Sequence, residues 1–223
     1  VSVQALLAEL INDPGLLDRL RADPGGFGVS RADALTLCAM DRRQFEITTL
    51  VHVERRRSWV RAKFPGSALL MAEQGTPELI ARCVDQVRIR STTPADFVAI
   101  GTHLRSLAGN HRLREMIRFE TTWFELMLRP APLAPMLAPG VAVLSFSFPV
   151  ADLRQRLILG DDIATVTDRP AHYILQASSG RQIRTYPIGQ ELAGLLLAGE
   201  GLGERELTRL SRLGLVTWNP PRS

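Results

Sequence analysis

HYILQASSGRQIRTYPIGQELAGLLLAGEGLGERELTRLSRLGLVTW, residues 172–218, decides the fold. His172 to Ala177 and Gln182 to Ile188 are β-prone runs flanking Ser178-Ser179-Gly180-Arg181, where Ser-Gly supplies a positive φ, so the pair reads as a β-hairpin. Gly189 to Leu197 and Glu204 to Leu213 follow as two short helices. Gly199, Gly201 and Gly203 lie between them, after a helix rather than a strand and without phosphate-loop spacing, so they read as a turn. The apolar tail Val216-Thr217-Trp218 closes the stretch. Hairpin, two helices and tail are the order of a small winged-helix module.

Working backwards, Val141 to Phe148 alternates as a strand, Val150 to Leu159 reads as a short helix, and Asp161 to Arg169 reads as loop. Arg129 to Pro139 (RPAPLAPMLAP) is proline-rich and reads as a linker. It divides residues 1–128, a helical domain, from 140–223, a winged-helix-like domain, with the linker at 129–139. The class is α+β.

The helical part is legible from caps and apolar spacing. Leu6, Leu7, Leu10 and Ile11 form one face; Asp13-Pro14 caps the next helix; Ser30 with Asp33 three residues on forms a capping box. Gln44 to Lys63 is the longest helix, stopped by Phe64-Pro65-Gly66. Thr76-Pro77 and Thr93-Pro94 open two more, and His111 to Leu128 is the last. Glu120 lies on the apolar side of that helix, between Ile117 and Phe124. Its carboxylate therefore requires an arginine, a histidine or backbone donors as partners.

Composition bounds the function. The chain has 223 residues, 45% of them hydrophobic, with a net charge of +4. No apolar run is long enough to span a bilayer and the first residues lack a signal-peptide pattern, so a cytoplasmic protein without a membrane partner is the expectation. Cys38 and Cys83 lack metal or redox spacing and read as buried thiols. Lys63 is the only lysine, so the cations are arginines, which suit carboxylates and phosphates. Arg55, Arg56 and Arg61 surround Trp59 near a helix C-terminus, where cations are favoured by the dipole and aromatic–arginine neighbours mark interfaces. These four are the candidate partner interface. His111 and Glu115 share a helix face, but two ligands do not make a metal site. No catalytic or metal-ligating set emerges, which points to a binding protein.

Two binding modes compete at the C-terminal module. Glu204 to Leu213 can serve as a DNA recognition helix, with Arg205, Arg209 and Arg212 as an exposed ladder offset by Glu204 and Glu206. Alternatively, the strand Gln182, Ile183, Arg184, Thr185 and Tyr186 accepts an incoming peptide strand, in a groove walled by Leu207, Leu210 and Ser211. Residue chemistry leaves the two open.

Four stretches, ERRRSWVRAKFPGSALLM at 54–71, HRLREMIRFETTWFELM at 111–127, VLSFSFPVADLRQRL at 143–157 and the final hairpin with its helices, give the chain a resemblance to a family. In order and spacing it resembles the partner proteins of multinuclear non-heme iron-dependent oxidative enzymes (MNIO) of ribosomal peptide biosynthesis. The resemblance implies a helical domain that docks on a TIM-barrel catalytic subunit and a C-terminal domain like the precursor-recognition elements of peptide-modifying systems. It implies a non-catalytic subunit with no cofactor of its own, the iron residing in the partner enzyme. It further implies that the chain binds a precursor leader by strand addition and presents its cysteine for oxidative modification, with Glu120 in the family's helical core. Nucleic acid is then not the expected partner.

Overall fold

A computed structural model describes residues 2–13, 15–87, 92–128, 136–177 and 183–218. The expected turn at 178–181, Gln182 and most of the proline-rich segment lie outside the described residues. Eleven helices and one antiparallel sheet of three strands make the fold α+β among those residues.

The chain begins with α1 (Val3–Asn12), α2 (Gly15–Ala22) and α3 (Arg31–Cys38). Leu6, Leu10, Leu17, Leu20 and Leu37 form a small core with Phe45, the first buried residue of α4 (Arg42–Lys63). The Ser30 hydroxyl accepts from the Asp33 N–H at 3.1 Å, which fixes the start of α3. At its other end α4 contributes Val60 to a second, larger core.

That larger core gathers α5 (Pro65–Glu73), α6 (Glu78–Gln86), α7 (Pro94–Leu107) and α8 (His111–Leu128). Thr93 and Asp96 close a capping box on α7. Gly101 lets α7 lie close against α8, since a Cβ there would overlap Thr121. α5 differs from the sequence expectation. Phe64-Pro65-Gly66 does stop α4, but Pro65 also takes the first position of α5, so the stop is equally a start.

The sheet consists of β1 (Val141–Phe146), β2 (Ala171–Ala177) and β3 (Ile183–Ile188), in the order β1-β2-β3. Helix α9 (Val150–Leu159) connects β1 to β2, and α10 (Gln190–Ala198) and α11 (Glu204–Arg212) follow β3. Period-two alternation gives the sheet two buried faces. Ala142, Phe146, Tyr173 and Leu175 join the larger core; Val141, Val143 and Ile174 meet Ala193, Leu196 and Leu210 on the other side. Phe119 of α8 makes edge contacts with Phe146 at 5.8 Å and Tyr173 at 6.1 Å, seating the sheet on the helices. The larger core thus draws residues from both sides of segment 129–139.

Candidate functional site

The ladder of β2 determines which backbone groups β3 leaves open. Ala177 donates its N–H to the Gly140 carbonyl at 2.8 Å, so the backbone of Ala177, and with it Leu175 and Tyr173, points towards β1. The antiparallel partners of these three on β3 are Ile183, Thr185 and Pro187. Their backbone groups therefore point away from β2, to the free edge of the sheet. Ile183 and Thr185 each offer an N–H and a C=O there. Pro187 offers only a C=O, and sits where a missing donor leaves the ladder intact.

A groove of about 620 Å³ runs along this edge. Ile183, Thr185 and Pro187 form one wall, and α9 forms the other with Gln155, Ile158 and Leu159. Ile158 and Leu159 are 46% and 65% exposed, large apolar side chains with solvent in place of a neighbour. Tyr173 and Trp123 line the floor; burial raises the Tyr173 hydroxyl above its ordinary pKa, keeping it neutral.

Beneath the floor, Glu120 is fully buried and closely satisfied. It accepts from the N–H groups of Gly66 at 2.9 Å and Ser67 at 3.0 Å and from the Ser67 hydroxyl at 2.7 Å. These are open donors of the first turn of α5, which lacks a side-chain cap of its own, so a carboxylate from α8 caps it and meets the positive end of its dipole. Arg154 of α9 completes the set at 2.8 Å, and its guanidinium lies 4.3 Å from the centre of the Trp123 ring. A Cβ on Gly66 would come within 2.7 Å of Arg154 Cγ and 2.9 Å of Met116 Sδ, so glycine keeps this approach open. One ion pair thus joins α5, α8 and the groove-forming helix α9.

The other residues singled out from sequence fall into separate places. Arg184 and Tyr186 lie on β3 but face the opposite side of the sheet, paired across from Gln176 and Ile174. Leu210 is buried in the cluster on that opposite side, Leu207 is buried one turn earlier on α11, and the Ser211 hydroxyl donates to the Trp218 carbonyl at 3.5 Å. The open groove beside the β3 edge is thus walled by α9, a helix that sequence reasoning left without a role. Its signal was present: Ile158-Leu159 ends the helix with two apolar residues before Gly160.

Of the proposed partner interface, Arg55 stacks over Trp59 at 5.0 Å, and Arg61 is exposed. Arg56 turns inward; burial pushes its guanidinium below the ordinary pKa, with Asp85 opposing that shift. Arg205, Arg209 and Arg212 are exposed along α11, beside a hollow of about 890 Å³.

Ser147, His111 and Glu115 cluster, with the His111 Nε2 at 2.8 Å from the Ser147 hydroxyl and 3.3 Å from Glu115. Both contacts use the same ring nitrogen, and Glu115 also accepts from the Ser147 N–H at 3.0 Å. A hydroxyl–imidazole–carboxylate relay needs the two partners on opposite ring nitrogens, so this cluster is a cap on the end of β1 rather than a relay. Among the described residues no three histidine, cysteine or acidic side chains converge as a metal site. No helix among them is long and apolar enough to cross a membrane.

No family model matches the chain, and a search of curated proteins finds no relative.

Proposed function

We propose that this chain is a non-catalytic recognition subunit, whose winged-helix-like C-terminal part binds the leader of a ribosomally made precursor peptide by strand addition. In this reading it presents a cysteine of that precursor to an iron-dependent oxidative enzyme of TIM-barrel fold, and the iron and the chemistry belong to that partner. One observation carries the reading: Ile183 and Thr185 direct unpaired backbone donors and acceptors to the edge of a groove whose far wall carries the exposed apolar side chains Ile158 and Leu159. An extended peptide satisfies both halves of that surface at once, with its backbone pairing to the edge and its side chains filling the groove. The family resemblance in the helical stretches supplies the identity of the partner enzyme.

Thr185→Pro is the direct test. It removes an edge donor without touching a ladder bond, so precursor affinity should fall while docking on the iron enzyme persists. Copurification with such an enzyme, followed by titration of its peptide substrate, measures both. Unchanged peptide affinity in the folded variant overturns the edge as the site.

A second reading has its own observation. Arg205, Arg209 and Arg212 share an exposed stripe of α11 and make no ion pair among the described residues. A DNA-binding regulator would use them on phosphates. Tight DNA binding that weakens steeply with salt, in a chain that captures no iron enzyme, would replace the first reading with this one.

A further inference from the structure

We infer that the β3 groove selects an extended segment in which apolar residues alternate with acidic ones. The inference rests on the strand-addition reading and adds to it the chemistry of the bound segment.

A strand added beside β3 places its residues opposite Ile183, Thr185 and Pro187 on the same sheet face as those residues, because side chains alternate with period two. That face looks onto α9, where Ile158 and Leu159 stand exposed and Asp152 is already engaged by Arg156 at 3.3 Å. Alternate positions of the segment are therefore apolar.

The intervening side chains point to the other face, beside Arg184. Arg184 is exposed and lies directly across from Gln176, whose amide donates to the Leu213 and Gly214 carbonyls at 3.1 and 3.2 Å. The end of α11 is thus fastened next to Arg184, and its last turn carries Arg209 and Arg212. No ion pair among the described residues engages any of the three. The acids of α11, Glu204 and Glu206, sit at its opposite end, where Glu206 accepts from the Gly203 N–H. The intervening position that passes Arg184 therefore meets a cation that no ion pair among the described residues engages, while Arg209 and Arg212, on the side of α11 opposite its buried Leu207 and Leu210, add positive field rather than contact; acidic residues suit these positions.

Three labelled ten-residue peptides test this against the full chain by fluorescence anisotropy: alternating Val/Glu, alternating Val/Lys, and a block arrangement with the composition of the first. The alternating Val/Glu peptide should bind about tenfold tighter than either control. Arg184→Glu should abolish its advantage over the Val/Lys peptide, and Leu159→Asp should weaken both alternating peptides. Methylating alternate backbone amides of the Val/Glu peptide, which leaves the protein unaltered, should abolish binding. Equal affinity for the three peptides, with binding of the Val/Glu peptide abolished by amide methylation, overturns the alternation and leaves strand addition standing. Binding insensitive to methylation, or no binding of any peptide, overturns strand addition itself. A chain that sediments as a dimer which the Val/Glu peptide fails to dissociate assigns the edge to a second copy and overturns both.

Discussion

Glu120 is a buried charge with every lone pair directed at a donor, and the donors come from two other elements, α5 and α9. Removing one member of such a set leaves the others stranded. Glu120→Ala strips α5 of its cap and leaves Arg154 without its carboxylate, and it should cost about 3–5 kcal/mol. Urea unfolding at neutral pH measures that loss. The need for partners at Glu120 was legible from its place on the apolar side of a helix. Their identity was not, because Arg154 lies 34 residues further on and no local pattern links the two.

Cys83 makes a second residue-level prediction. It is fully buried, and burial raises its thiol from the ordinary 9.0 to about 12. The unfolded chain ionises this thiol from about pH 9 and the folded chain only near pH 12, so the unfolded state releases the proton first. The stability that the neutral thiol contributes is whole below pH 9 and is lost as pH rises towards 12, by up to about 1.4 kcal/mol per pH unit. Tyr173, raised in the same direction, adds to the loss at the alkaline end. Cys83→Ala should flatten the decline, which urea midpoints at pH 8 and 10.5 would detect.

At the scale of elements, β3 is an edge that Pro187 limits. Its missing N–H faces outward, where a full complement of donors would invite pairing with other copies of the chain. Pro187→Val restores that donor and a β-prone side chain, so sedimentation should show concentration-dependent self-association absent from the parent. The elements themselves were largely readable. α8 runs from His111 to Leu128 and α9 from Val150 to Leu159 as their apolar spacing indicates. α5 escaped because Pro65-Gly66 carries the signal of a helix end, and the group that makes it a helix start is a carboxylate on α8. Which helix would face the β3 edge also escaped, since α9 and α11 are both amphipathic and only the packing of the sheet assigns one to each side.

For the whole molecule, composition and packing divide the chain differently. The sequence changes character at 129–139, yet Phe119 and Phe124 share one core with Phe146, Leu153 and Leu175. Residues 1–128 or 140–223 made alone each expose a surface that the other covers. Each half should bind a hydrophobic dye and lack near-ultraviolet dichroism, and co-expression should restore both properties to those of the intact chain. A continuous core also means that, under the proposed function, a peptide on β3 and an enzyme on the helices would rest against one packed body rather than two tethered ones.

Under the proposed function, the few edge groups of β3 among the described residues have a kinetic consequence. Among the described residues of β3 only Ile183 and Thr185 both donate and accept at the edge, and each hydrogen bond contributes about 0.5–1.5 kcal/mol net. A peptide held there at about micromolar affinity, with association at about 10⁵–10⁷ M⁻¹s⁻¹, stays for about 0.1–10 s. A recognition subunit of the proposed kind that releases its peptide on that timescale would hand over one and accept the next without any step devoted to ejection.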